Sequence, residues 1–143
     1  MLREFAVSTD RRRSAVADPS KKRVLVYGAG ANGAHLVDFI KVGGSERVST
    51  FQIVGFLDEH RSLRGKLFRS FIVFGGLDQV GGLSKKERLD GLVVTISNLP
   101  DERWVELINE TKAHGLKLYR WGCDKDFHLV EGAPDEGENR AES

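Results

Sequence analysis

"RVLVYGAGANGAHLVDFI", Arg23 to Ile40, is the stretch that decides the fold. Its first part is short, rich in β-branched residues and ends at a glycine, the pattern of a strand buried on both faces of a parallel sheet. Its last part resumes after three glycines and places Ala34, Leu36, Val37 and Ile40 mainly on one face of a helix over 31–42. Gly28, Gly30 and Gly33 spell G-x-G-x-x-G between the two. In that context the first glycine permits a tight turn, and the second lets the backbone approach a pyrophosphate. The third lets the helix pack close to the strand. The amides that open the helix, at Ala31, Asn32 and Gly33, then face the phosphates with the positive end of the helix dipole behind them.

Working outward, a polar loop over 43–50 leads to "FQIVGFLD" (51–58), a second strand that ends in Asp58. An acidic residue at this place binds the hydroxyls of an adenosine ribose. Asp58 lies 25 residues past Gly33, beyond the usual spacing of about 20, and the 43–50 loop accounts for the excess. A carboxylate there favours NAD over NADP, an inference that Arg61 and Arg64 nearby in sequence weaken. The alternative is that Asp58 merely caps the strand end. "GLVVTIS" (91–97) reads as a third strand, and Thr95, Ser97 and Asn98 fall at its carboxyl end, where open α/β sheets bind ligands. Ser97, Asn98 and Asp101 fit equally well as caps of the following helix.

That helix is "DERWVELINETKAHG" (101–115), with a stripe of Trp104, Leu107, Ile108 and Thr111 and a closing Gly115. Phe71 to Phe74 is one more apolar run, "GLDQVGGLSKKERLD" a short helix and a linker, and "LKLYRWG" (116–122) a final strand. Strand–helix alternation with short connections predicts an α/β fold, Rossmann-like and doubly wound. Its sheet is mostly parallel, with helices on both faces.

Composition narrows the function classes. The chain has 143 residues, a formal net charge of +1 and one cysteine, Cys123. It is the size of one domain, carries no overall charge that would attract nucleic acid, and cannot form an internal disulfide. Lone-cysteine usage fits a cytoplasmic compartment. No run of about 18 apolar residues is present, and the start lacks a signal-peptide core. Residues 1–23 hold seven Lys/Arg against three carboxylates, and 131–143 hold five carboxylates against one arginine. The expected layout is a mobile basic segment over 1–21, a nucleotide-binding domain over 22–130 and an acidic disordered tail over 131–143.

Catalytic signatures are missing. Neither tyrosine has a lysine four residues on: Ala31 follows Tyr27 and Cys123 follows Tyr119. Cys123 with His128 would make a poor nucleophile pair beside Asp124 and Asp126. His35, His60 and His114 lack neighbours that would complete a metal site.

The order "RVLVYGAGANGAHLVDFI", "QIVGFLDEHRSLRGKLFRSFIVFGGLDQV", "LDGLVVTISN" and "HGLKLYRW" resembles the CoA-binding-like Rossmann domain of bacterial polysaccharide-biosynthesis proteins. That domain accompanies nucleoside-diphosphate-sugar epimerases and dehydratases, undecaprenyl-phosphate sugar transferases and related membrane glycosyltransferases. The resemblance spans about residues 22–122. It implies a regulatory or accessory nucleotide-binding module, with NAD(H) the first ligand and NADP, CoA or a UDP-sugar as alternatives. Gly28, Gly30, Gly33 and Asp58 match the nucleotide motif, and the Gly65–Gly75 region matches a family segment. Two departures are "RSFIVFGG", where the family carries a proline, and "DEHR", where it often carries "DDD". The resemblance also implies attachment to a membrane-embedded part of a larger protein, on the cytosolic face of the membrane, and a homodimer among the assemblies open to it. Three readings compete: a binding module, an oxidoreductase or epimerase fragment whose catalytic residues lie elsewhere, and a nucleotide-sensing regulatory domain. The absent Tyr–Lys pair and second domain favour the first.

Overall fold

A computed structural model describes residues 19–130. The acidic segment 131–143, and all but the last three residues of the basic segment 1–21, lie outside the described residues.

The apolar run after Lys22 forms the central strand, β1 (Lys22–Tyr27), which is buried from Arg23 onward. It pairs in parallel with β2 (Phe51–Leu57) on one side and β5 (Gly91–Val94) on the other. Outside these lie β4 (Phe71–Gly75), parallel to β2, and β6 (Lys117–Trp121), parallel to β5. Two short antiparallel strands, β3 (Leu67–Phe68) and β7 (Phe127–Leu129), close the edges, giving the order β3-β4-β2-β1-β5-β6-β7. Three helices connect the parallel strands: α1 (Ala31–Lys41), α2 (Val80–Lys86) and α3 (Asp101–Ala113).

The period-2 alternation of β1 splits the core into two layers. Val24 and Val26 face Leu36 and Val37 of α1, while Leu25 and Tyr27 face Val80 and Leu83 of α2 and Leu107 of α3. Helices therefore cover both faces, as a mostly parallel sheet requires. The chain winds from β1 through β2 to β4 on one side and then crosses back to β5 on the other side of β1, so the switch point of this doubly wound sheet lies at the carboxyl ends of β1 and β5.

The structure corrects several sequence expectations. The third strand stops at Val94 rather than Ser97, because its partner β1 ends where Gly28 (φ 120°) turns away. The short helix and linker expected over 76–90 are present, with a 3₁₀ turn (Leu77–Gln79) leading into α2. The residue capping α3 is Pro100, and no side chain caps it, so Ser97, Asn98 and Asp101 do not act as caps. Strands β3 and β7, two and three residues long, are too short to leave a periodic signal.

The β3–β4 hairpin turns on Arg69 (φ 52°) and Ser70 (φ 76°). A two-residue turn with both central φ values positive prefers Asn-Gly. The exposed Arg69–Asp38 ion pair, at 3.3 Å, offsets little of this cost. The double substitution Arg69→Asn, Ser70→Gly should therefore stabilise the fold by about 1 kcal/mol, or about 4 °C in Tm. A thermal melt with an unchanged or lower Tm would refute this.

Candidate functional site

The three glycines occupy three different environments. Gly28 sits at φ 120°, and a Cβ there would lie 2.6 Å from Thr95 Oγ1 and 2.8 Å from Ile96 Cγ1. Gly30 is extended (φ −128°, ψ −158°), and a Cβ there would point into space with nothing within 4 Å. At Gly33 a Cβ would run into the Gly28 carbonyl and approach Phe56 Cε2 at 3.0 Å. The helix is therefore seated on the turn at Gly33, while open room is left in front of Gly30.

Gly30 is also the capping residue of α1, with no side-chain cap. The first-turn amides, including those of Ala31, Asn32 and Gly33, have no intrahelical acceptor. They open onto a cleft of about 240 Å³ lined by Gly28, Gly30, Ala31 and Asn32 on one wall. Thr95, Ile96, Ser97 and Asn98 line the opposite wall, and Asp58 the third. The sequence-predicted site residues, apart from the buried Gly33, thus line one cleft at the switch point.

Their side chains are not equally available. Thr95 is buried, and its hydroxyl donates to the carbonyls of Tyr27 (3.2 Å) and Gly28 (3.1 Å). It fixes the shape of the glycine turn. Asn32 Nδ2 donates to the Thr95 carbonyl at 3.0 Å, tying α1 to the loop after β5. Ser97 and Asn98 are exposed in a turn at the rim. Asp58 Oδ2 accepts the Ala29 amide at 2.8 Å, while Oδ1 accepts the His60 amide at 2.9 Å. The carboxylate thereby bridges the end of β2 and the glycine loop.

Beyond Asp58 the cleft continues into a larger cavity of about 550 Å³ between the ends of β2 and β4 and the side of α3. Glu59 organises one of its walls. It accepts the Tyr27 hydroxyl at 2.8 Å and the Leu77 amide at 3.1 Å, and lies 3.8 Å from Arg103. Burial, then the hydrogen bond to Glu59, raise the Tyr27 phenol far above its ordinary pKa, so it stays protonated. No sequence motif marks Glu59 or Arg103; the one local signal is the second acid in "LDEH".

The remaining reactive residues lie apart. His128 Nε2 is 3.0 Å from both carboxylate oxygens of Asp124 in the β6–β7 hairpin, and Cys123 is exposed beside them. Among the described residues no group of three His, Cys, Asp or Glu side chains could hold a metal ion. No helix among them is long and apolar enough to cross a membrane.

This geometry defines a Rossmann-like α/β domain with its switch-point cleft built around a G-x-G-x-x-G turn. No protein-family model matches the chain, and no curated protein matches its sequence. Solved structures do share the fold. The chain is similar to UDP-D-quinovosamine 4-dehydrogenase from Vibrio fischeri (TM-score 0.64, 18% identity, 77% of this chain and 93% of that one). It is also similar to RSP, a Rex-family repressor. The match to that repressor's complex with β-NADH has a TM-score of 0.57 and 14% identity. It covers 85% of this chain but 57% of the repressor, so the chain spans little more than half of that protein. A further structure of the repressor, bound to β-NAD+ and operator DNA, matches with a TM-score of 0.53 and 12% identity, over 94% of this chain and 59% of that one.

Proposed function

We propose that this chain is a dinucleotide-binding module whose ligand is NAD(H). Its role is regulatory or accessory within a bacterial protein of cell-surface polysaccharide or nucleotide-sugar biosynthesis. The observation that carries the ligand is the open space in front of Gly30 at the uncapped start of α1, with Asp58 at its side. The pyrophosphate sits against the Gly30–Gly33 amides, and the adenosine ribose reaches Asp58. The adenine half extends into the larger cavity past Glu59, and the nicotinamide half runs towards Ser97 and Asn98.

Two neighbours support this reading, since one is a UDP-sugar dehydrogenase and the other was solved with β-NADH and β-NAD+. The polysaccharide context rests on the sequence resemblance together with the first of these. The accessory role rests on the absent Tyr–Lys pair and on Tyr27, whose protonated hydroxyl is committed to Glu59. In this reading the partner is a small ligand, and a formal net charge of +1 supplies no overall field that favours nucleic acid.

Calorimetric titration of the chain with NAD+, NADH, CoA and UDP-sugars tests the reading, and no binding by any of them sinks it. Asp58→Ala should weaken NAD+ by about 10- to 100-fold, the size of a lost charge-assisted pair of hydrogen bonds. The same change should spare UDP-sugars, which carry no adenosine. Equal loss for both ligand types would show that Asp58 acts only by holding the glycine loop.

A further inference from the structure

A formal net charge of +1 conceals an uneven surface. The register sets Val24 of β1 beside Gly91 of β5, and Gly91 beside Lys117 of β6. The amino ends of these three strands therefore lie side by side, and α2 and α3 bring their last turns to the same pole. Lys21, Lys22, Lys85, Lys86, Arg88, Lys112 and Lys117 are all exposed there. A cation at a helix carboxyl end complements the helix dipole, which accounts for Lys85, Lys86 and Lys112. It does not account for Lys21, Lys22 and Arg88, which lie outside every helix.

The acids of this pole are turned to other partners. Asp90 Oδ2 accepts the amide of the buried Arg23 at 2.8 Å, and Glu87 Oε1 lies 3.5 Å from Arg23 Nη2. Glu110, two residues before Lys112 on α3, lies 3.4 Å from His114. Among the described residues Lys21, Lys85, Lys86, Arg88 and Lys112 have no ion-pair partner. Lys22 stands over the Phe51 ring, 5.5 Å from its centroid. The opposite pole differs in sign. It holds the glycine cleft, and the larger cavity beside that cleft is lined by five carboxylates against three arginines.

We propose that the amino-end pole docks the domain on an anionic lipid surface, with the ligand cleft facing away from it. The contact is made by the folded domain itself, and it holds whichever ligand the cleft takes. Six of the seven exposed cations are lysines. A lysine is a flexible point charge suited to the diffuse field of lipid headgroups, whereas nucleic-acid recognition favours the planar fork of arginine. Each lysine or arginine near an anionic leaflet strengthens binding about fivefold. One group of charges opposes this. Residues 131–143 carry five carboxylates against one arginine, and they follow Val130, whose amide donates to the Leu118 carbonyl next to Lys117.

The test is co-sedimentation of the full chain with vesicles of phosphatidylcholine alone, and of phosphatidylcholine mixed with phosphatidylglycerol. The chain should bind the mixed vesicles only, and release them in about 1 M salt, where the screening length is about 3 Å. The triple variant Lys85→Gln, Lys86→Gln, Arg88→Gln should bind about 100-fold more weakly, with Tm within about 2 °C of the unaltered chain. Lys112→Gln, on a separate helix, should lose about fivefold by itself. A charge-matched control, Arg61→Gln, Arg64→Gln, Lys125→Gln, removes as many cations from the opposite pole and should stay within about threefold. Neutralising part of the acidic segment, by Asp135→Asn, Glu136→Gln and Glu138→Gln, should tighten binding. Four results overturn the proposal. They are no binding to the mixed vesicles, equal losses in the two cation-removing triple variants, weaker binding after the acidic residues are neutralised, and binding of a random DNA duplex in place of vesicles.

Discussion

Gly30→Val should abolish NAD+ and NADH binding, by at least about 100-fold or roughly 3 kcal/mol, while leaving the fold intact. The two halves of this expectation have separate causes. Gly30 is extended, a conformation any residue adopts, and its missing side chain faces open space, so valine meets no protein atom within 4 Å at Cβ. The folded state is therefore not strained, and Tm should stay within about 2 °C. The same open space is where a pyrophosphate approaches the α1 amides, and a valine there takes its place. Gly30→Ala should fall between, since one methyl displaces the phosphates less. Calorimetric titration paired with a thermal melt separates the two effects. Gly30→Val binding NAD+ within about threefold of the unaltered chain would sink the proposed site.

Local sequence makes the centre of this site legible because glycine leaves few alternatives. "GAGANG" behind an apolar β-branched run and ahead of a helical one can hardly be read other than as a strand–turn–helix, and it sits on β1 and α1 as expected. Asp58 falls at the cleft as its strand-end position predicts, but nothing in "VGFLDE" announces that its carboxylate accepts the Ala29 and His60 amides. Thr95 falls at the cleft as its strand-end position predicts, but its hydroxyl is directed at the Tyr27 and Gly28 carbonyls. Nothing in "VVTIS" says which way that side chain points, because its direction depends on where β1 ends. The larger cavity is illegible for a stronger reason. Its walls come from three segments, near residues 60, 76 and 106, that only the β4-β2-β1 order and the path of α3 bring together. Arg64 meets Gly75 through the β3–β4 hairpin, and β3 has two residues to announce itself.

Tyr27 shows how the fold and the site share residues. It ends β1 fully buried in the layer under α2 and α3, yet its hydroxyl reaches Glu59 at the cavity wall. Glu59 in turn holds the Leu77 amide, and a Cβ on Gly76 would collide with its carboxylate. The wall is thus fastened to the central strand by a phenol–carboxylate hydrogen bond.

The second large effect is expected at Gly33, and its sign distinguishes a packing glycine from an ordinary helical one. In an exposed helix, Gly→Ala stabilises by about 1 kcal/mol, because alanine loses less backbone entropy. A Cβ added to Gly82, within α2, would meet nothing within 4 Å, so Gly82→Ala should show that gain. Gly33 is buried in α1, and its Cβ would be driven into the Gly28 carbonyl and against Phe56. The Gly28 carbonyl cannot move freely, since it accepts the Thr95 hydroxyl, and Phe56 is locked between Phe68 and Phe71. The helix must lift instead, loosening Leu36 and Val37 from Val24 and Val26. Overpacking of this kind costs about 1–3 kcal/mol, so Gly33→Ala should lower Tm by about 4–12 °C where Gly82→Ala raises it. Lifting the helix also moves the first-turn amides away from the pyrophosphate, so NAD+ affinity should fall along with stability. Parallel melts of the two variants decide the matter: if Gly33→Ala gains stability as Gly82→Ala does, the close seating of α1 on the glycine turn is wrong.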